Sequence, residues 1–516
     1  MLKKSNTVLI VLLSTLLVLS GCGGSSSKSS EKEPQTNLPA QPDTDTSDPT
    51  DTDNSDQSDN SDTGDTDTTP PVGVEITIDG MQIKHTIHPM IQGQGLIYSH
   101  EADHIYADGS MAQLYKDVGA GFLRYPGGTV TTMYHWNDLN GQGWTDSWNP
   151  NYNRDNDALP ENYMDLDEYM ALCRASNCEP MLGINMSSGR NYDRDEDGLN
   201  EAIALLKYCK EKNFELNYLY LDNENHHKKW SAEEYANLIN YYVPALREHA
   251  PNAKLIANWT RSFRSNRGSF KTLLDIAGNN FDYIDVHYYW KWGVASWELW
   301  KETTPMVNKT EWYDGSSYIE EIAYFKSMMS ELGKPHIKLA SMEWNIGPGP
   351  HSEDPQHTPF KTALMQSEMQ MQFMLSGLEI GAMWSTQWPD GGDGQFRFLV
   401  DSGDNYRPTP SAKVFELYKH ALNGELVQSE TAHEQIMVTT VIQDDEAFVY
   451  LLNKSDSSED IYINLNGYNI LSADQAVSFQ HPGVFEYNDV SQNNEYIQAN
   501  LSADTLTMIK LVIEQQ

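Results

Sequence analysis

Cysteine is scarce, with four in 516 residues, too few for a disulfide-scaffolded fold. Basic residues are scarce as well: 35 Lys and Arg stand against 74 Asp and Glu, giving a formal charge of −39. Such a chain is not built to coat nucleic acid, whose phosphates reward a basic face. No Cys/His group has zinc spacing, and no Ser sits in a nucleophile elbow. No glycine-rich phosphate loop follows the first strand of the folded part. No metal and no cofactor are expected. What is present is a 39% hydrophobic content, enough for a sizeable core, so wholesale disorder is excluded. Thirteen Trp and 28 Tyr suit carbohydrate rings, though aromatics also fill cores.

The first residues read as an export signal. Lys3 and Lys4 precede an apolar run, Val8 to Leu19, that is short for a permanent membrane span. Leu19-Ser20-Gly21-Cys22 follows and resembles a bacterial lipobox, which implies lipidation of Cys22 and a cell-envelope location, at the outer membrane or cell surface. Residues 23–72 are rich in Ser, Thr and Asp, with little apolar material to bury. They read as an extended, self-repelling tether. The expected organisation is a signal over 1–22, a tether over 23–72, a barrel over 73–424 and a β-sandwich over 425–516, with 73–88 able to join the sandwich. The sequence is silent on oligomeric state.

From about residue 90 short apolar strands alternate with amphipathic helices. The strands are Met90–Leu96, Gly121–Tyr125, Pro180–Ile184, Leu216–Leu221, Lys254–Asn258, Tyr283–His287, Ile337–Met342 and Glu379–Ser385. Helical periods include Asp165–Ser176, Leu199–Lys212, Ala232–Glu248, Ile319–Leu332 and Lys361–Leu375. Eight such units predict an α/β fold, a (β/α)8 TIM barrel. After about Gly424 the helical period stops. Six β-like segments between Ile436 and Val512 predict a smaller antiparallel β-sandwich domain.

Barrel enzymes place their chemistry at the C-terminal ends of the strands. Those ends carry Arg124, Asn185, Asn223-Glu224, Asn258-Trp259, His287-Tyr288-Tyr289, Glu343-Trp344-Asn345, Trp384 and Trp388. Glu224 and Glu343, after strands four and seven, face each other across the barrel mouth. Two carboxylates on one bond are what glycoside hydrolysis needs: one protonates the leaving oxygen, the other attacks or activates water. Arg124 and Tyr289 are the groups expected to keep Glu343 ionised. His287 and Asn185 are expected to bind sugar hydroxyls. Trp259, Trp290, Trp292, Trp384 and Trp388 are stacking candidates, with core packing the competing reading for each.

This arrangement resembles clan A glycoside hydrolases, retaining enzymes with the acid/base after strand four and the nucleophile after strand seven. The resemblance implies Glu224 as acid/base, Asn223 as donor to the sugar 2-hydroxyl, and Glu343 as nucleophile. Local segments look closest to the α-L-arabinofuranosidase family with a C-terminal sandwich. They are His88 to Gln94, Leu123 to Gly128 with Tyr134-His135-Trp136, Asn185-Met186, His287-Tyr288-Tyr289 and Glu343-Trp344-Asn345. The chain departs from that family in two places. Ile97-Tyr98 stands where the family carries Glu-His after strand one, Glu101 being the nearest acid. Asp222 stands where Gly usually precedes Asn-Glu.

Basic residues gather on two loops, His226-His227-Lys228-Lys229 and Arg261, Arg264 and Arg267. Lys228, Arg261 and Arg264 would suit sulfate or uronate. The expected substrate is therefore an anionic, galactan-type polysaccharide (agar, porphyran or carrageenan-like), with plant-type arabinofuranosides as the alternative. A non-catalytic glycan-binding lipoprotein and a polysaccharide lyase are the competing classes. Asp193 to Gly198 mimics a calcium loop but has Ala204 at its twelfth position, so it reads as an acidic loop before a helix. Cys173, Cys178 and Cys209 allow one disulfide, Cys173–Cys209, or three buried thiols.

Overall fold

The computed structural model describes residues 72–138, 145–158, 162–225, 230–259, 263–264, 266–309, 314–347, 358–388, 399–401, 405–487, 490–492 and 496–516. Eight parallel strands close into a barrel. In chain order they are Gly93–Gly95, Phe122–Tyr125, Glu179–Ile184, Tyr218–Leu221, Lys254–Asn258, Tyr283–Asp285 continued by Tyr288–Trp290, Lys338–Ile346, and Ile380–Met383. Closure is direct: Ala382 and Met383 of strand eight pair with Gly93 and Gln94 of strand one.

Alternation along each strand divides the side chains into an inner and an outer set. Met90, Phe122, Met181, Tyr220, Ile256, Tyr283, Ala340, Met342, Ile380 and Ala382 pack into one cluster inside the barrel. Leu182, Leu219, Leu221, Leu255 and Ala257 join the outer layer under the helices. The interior is thus filled, and ligands have access at its ends alone. The helices carry their own stop and start signals. Asp165, Ser231 and Ser317 each cap a first turn, with Glu168, Glu234 and Glu320 reaching back to the cap, the reciprocal capping box.

Strand seven carries an irregularity that matters for the site. Between Ser341 and Trp344 it holds one residue more than strand eight does between the paired Gly381 and Met383. The same surplus appears against strand six, where Asp285 pairs with Ala340 but Tyr288 with Trp344. An extra residue of this kind bends a strand and re-aims a side chain. Here the stretch contains Glu343.

The second region is one ten-stranded sheet, antiparallel except at one pair. Val74–Thr86 lies inside it, antiparallel to Glu425–Thr431 and parallel to Glu459–Asn466. The sheet has its own apolar cluster, with Ile76, Val438, Val449, Ile463 and Leu511 among its members. Its other contacts run to the barrel helices. Tyr450 donates to the Leu417 carbonyl at 3.0 Å. Lys454 and Glu368, both fully buried, pair at 2.8 Å. The Lys454 ammonium also donates to the Thr303 carbonyl at 2.6 Å and lies 4.6 Å from the Trp300 ring centroid.

Cys173, Cys178 and Cys209 are free and buried, so the buried-thiol alternative is the one realised. Burial pushes the Cys178 thiol up to about 11 and that of Cys209 to about 12. The acidic run near Asp193 opens helix Asp195–Glu211, with Arg194 paired to Asp197 at 2.8 Å. Among the described residues no helix is long and apolar enough to cross a membrane.

Candidate active site

The C-terminal strand ends bring Arg124, Asn223, Glu224, Asn258, Asp285, His287, Tyr289 and Glu343 into one hydrogen-bonded cluster. Arg124 is its base. It is fully buried and lies 4.7 Å over the Tyr220 ring inside the barrel. Its guanidinium donates to Glu343 Oε1 at 2.7 Å, to the Met342 carbonyl at 3.1 Å and to Asn223 Oδ1 at 2.5 Å. Burial disfavours the charge, but Tyr220, Glu343 and Asp285 outweigh it and hold the pKa above the ordinary arginine value.

Glu343 is buried, and its second oxygen accepts the Tyr289 hydroxyl at 2.9 Å. Burial and the Glu343 charge push the Tyr289 phenol well above its usual range, so it stays a donor. Glu343 therefore has a fixed cation and a fixed hydroxyl on its two oxygens, a setting that aims the carboxylate.

Glu224 is held differently. The backbone there is left-handed at Asp222 (φ 70°) and again at Glu224 (φ 45°), a conformation that Gly takes freely and Asp tolerates. That accounts for Asp222 standing where Gly is usual. Its carboxylate accepts from its neighbour Asn223 N at 2.7 Å and from Met186 N at 3.1 Å, fixing the kink. Glu224 N donates to Asn258 Oδ1 at 2.5 Å. The Glu224 side chain is 27% exposed, against 7% for Glu343.

His287 links the two acids. Its Nδ1 lies 3.0 Å from Glu224 Oε1 and 3.3 Å from Glu343 Oε2, and its Nε2 lies 3.1 Å from Asp285 Oδ2. Burial would lower its pKa, yet Glu343 and Asp285 raise it to about 10. One ligand atom from each of Glu224, His287 and Glu343 lies within 4.8 Å of the others, a triangle wide enough for a metal ion. A protonated imidazole donating to both carboxylates already accounts for that closeness. The 4.8 Å limit also applies to the two carboxylates. One oxygen of each acid is thus close enough to the other for the pair to act on a single glycosidic bond. The displaced carboxylate that a dead, sugar-binding barrel would show is not found.

Asp285 is the member that sequence reasoning passed over, and Asn258, noted there only as a strand end, is its partner. Asp285 is fully buried and accepts from Met342 N at 2.7 Å and from the Asn258 amide. The available signal was its position two residues before His287, which puts both on one strand face.

Among the remaining expected residues, Trp384 is half-buried beside Arg124, 5.9 Å from the guanidinium. A Cβ on Gly128 would fall 2.3 Å from its ring, so Gly128 is needed to let Trp384 lie there. Trp388 is half-buried and edge-on to His100 at 4.7 Å. Trp259 is buried and stacks on Tyr235 at 5.8 Å, a packing position. The Asn185 amide is engaged by the Tyr134 carbonyl at 3.1 Å and the Ser188 hydroxyl at 2.7 Å. Glu101 is buried and accepts from Ile97 N at 3.0 Å, from the Tyr106 hydroxyl and from Gln387 Nε2 at 2.6 Å. Burial pushes its carboxyl up.

The basic loops do not form a free anion patch among the described residues. Arg264 pairs with Glu321 at 3.4 Å and lies over Tyr324, while Arg267 pairs with Glu331. Lys228 and Arg261 lie outside the described residues, as does Cys22.

Comparison with known proteins follows the same lines. The family described as "Alpha-L-arabinofuranosidase 1 domain" matches residues 114–303. An intracellular exo-α-(1→5)-L-arabinofuranosidase of Acetivibrio thermocellus is 23% identical over 280 residues, 49% of this chain and 52% of the relative. An intracellular exo-α-L-arabinofuranosidase of Bacteroides ovatus is 26% identical over 220 residues, 38% of this chain and 40% of the relative. The chain thus spans about half the length of the curated relatives it matches. Solved structures align further. The GH51 arabinofuranosidase of Xanthomonas axonopodis pv. citri superposes with a TM-score of 0.63 at 15% identity, over 86% of this chain and 100% of that one. The arabinose complex of the Thermotoga maritima α-L-arabinofuranosidase gives 0.65 at 17%, over 85% and 100%. At those identities the likeness is one of fold: a (β/α)8 barrel followed by an antiparallel β-region.

Proposed function

We propose that the chain is a retaining O-glycoside hydrolase. One observation carries this reading: two carboxylates in unlike environments stand within 4.8 Å of each other at the barrel mouth. Glu343, fixed by Arg124 and Tyr289, attacks the anomeric carbon and forms a glycosyl ester. Glu224, more exposed and bonded to His287, protonates the departing oxygen. It then takes a proton from the water that cleaves the ester, and two inversions give net retention. Glu224 and His287 share a hydrogen bond of 3.0 Å and exchange protons as a coupled pair. Asn223 Oδ1 is taken by Arg124, which leaves its amide nitrogen to donate to a sugar hydroxyl.

For the substrate we favour a neutral glycan bearing arabinofuranoside-type linkages. The sequence relatives bear arabinofuranosidase names, and the described arginines of the basic loop are paired with carboxylates. Sulfated galactans are the alternative, resting on Lys228 and Arg261. The test is a panel of arabinans, arabinoxylans and sulfated galactans, with the anomeric configuration of the first product followed by NMR. Retention on an arabinofuranoside supports the reading. Inversion, or no hydrolysis of any glycan, overturns it. The Cys22 motif supports a lipid-tethered enzyme at the cell envelope, and a Cys22→Ala chain that stays membrane-bound would contradict that.

A further inference from the structure

We propose that Trp292 is a stacking platform for a second sugar ring, next to the ring being cleaved, so that the site reads a glycan chain and not one terminal residue. This rests on the glycosidase reading and extends it. Strand six sends His287 and Tyr289 into the site. Trp290 turns into the core, where it is buried and donates to the Val307 carbonyl at 3.0 Å. Two residues further, Trp292 is 58% exposed. Its ring stands perpendicular to that of Tyr289, with centroids 5.0 Å apart. Tyr289 is the hydroxyl donor to Glu343, so the exposed indole lies one side chain from the nucleophile.

The turn that displays it is held firmly. Lys291 takes a left-handed φ of 54° and Gly293 one of 81°. A side-chain-bearing residue in that region is strained and persists where its surroundings over-determine it. They do so here. Lys291 N donates to Asn308 Oδ1 at 3.2 Å, and the buried Asn308 amide donates to the Tyr289 carbonyl at 3.1 Å. Gly347 N donates to the Trp290 carbonyl at 2.7 Å. A Cβ on Gly347 would fall 2.6 Å from Trp292 Cα, so the end of strand seven is flush against the turn. A large apolar ring fixed in solvent does nothing for the core. Beside a carboxylate pair that handles sugars, it offers a flat surface to the C–H face of a pyranose or furanose.

The experiment compares Trp292→Ala, Trp292→Tyr and the unaltered enzyme on an aryl glycoside and on oligosaccharides of two to six units from the polysaccharide it cleaves. The expected result is a loss of about tenfold in kcat/KM on the longer chains relative to the aryl glycoside, carried by KM. Trp292→Tyr should restore most of it. Equal losses on all substrates would mean that Trp292 supports Tyr289 alone, and would overturn the proposal while leaving the glycosidase reading intact. No loss anywhere does the same. An unaltered enzyme that cleaves no glycan overturns both.

Discussion

Two buried histidines in this chain each stand between carboxylates, and they serve different ends. His287 has Glu224 and Glu343 on one nitrogen and Asp285 on the other. His135 has Glu201 at 2.9 Å on Nδ1 and Asp146 at 3.1 Å on Nε2. Burial acts against the charge of both, yet the carboxylates prevail and raise them to about 10 and about 9. The surroundings differ. Trp148 stacks on the His135 ring at 4.5 Å, Arg194 covers Trp148 at 4.0 Å, and the second oxygen of Asp146 accepts the Ser188 hydroxyl at 2.5 Å. That cluster is sealed. It ties the segment around Asp146 to helix Asp195–Glu211. Around His287 one carboxylate, Glu224, is open to a ligand, and Arg124 offsets part of the negative charge. A histidine set between carboxylates is thus a closed tie in one place and part of an accessible cluster in the other. Position at the strand ends and access by a ligand decide which.

The largest expected effect separates the two clusters most sharply. Glu343→Ala should lower turnover by on the order of 10⁵-fold, as loss of a nucleophile does, with azide restoring part of the rate on activated substrates. More than a hundredth of the original rate without azide would remove Glu343 from the mechanism. Glu224→Gln should cost about 10²–10⁴-fold, most on poor leaving groups and least on nitrophenyl ones. A penalty independent of the leaving group would show that Glu224 is not the acid. His287→Gln should lower kcat by about 10²-fold. If His287 feeds protons to Glu224, its penalty also grows as the leaving group worsens. A flat penalty would assign it to holding Glu343.

Much of this was legible in the residues, for local reasons. The eight barrel strands announce themselves as short apolar runs between polar loops, and each overlaps its run, with strands six and seven continuing past it to Trp290 and Ile346. The strand-end acids stand out because a carboxylate closing an apolar strand has no packing use. What could not be read depends on distant partners. Asp285 sits inside Tyr283-Ile284-Asp285-Val286 and is satisfied by Met342 N and Asn258, neither of which is near in sequence. The surplus residue of strand seven leaves no mark in Ser341-Met342-Glu343, because it exists only relative to the neighbouring strands. Arg264 reads as a free cation until Glu321, 57 residues later, folds against it. Trp259 and Trp292 are alike as letters. One is buried against Tyr235 and the other exposed at the cleft, and only the turn geometry tells them apart.

The smallest catalytic effect is expected at His135, and its signature is stability. Its folded pKa lies at about 9, above the ordinary 6.5, so the folded state binds the proton more tightly than the unfolded one. The stabilisation is therefore fully present below about pH 6.5 and is lost as pH rises through about 9. Melting temperature measured from pH 6 to 10 should fall over that window. His135→Gln should flatten this part of the profile. It should also lower stability by about 3 kcal/mol near neutral pH, because buried Asp146 and half-buried Glu201 lose their cation. Its kcat should change only a few-fold, through the tie that Ser188 makes between Asp146 and Asn185. If His135→Gln melts like the parent at pH 7, or if it loses as much activity as His287→Gln, the division between a sealed tie and an open site fails. The two clusters would then have to be treated as one coupled network.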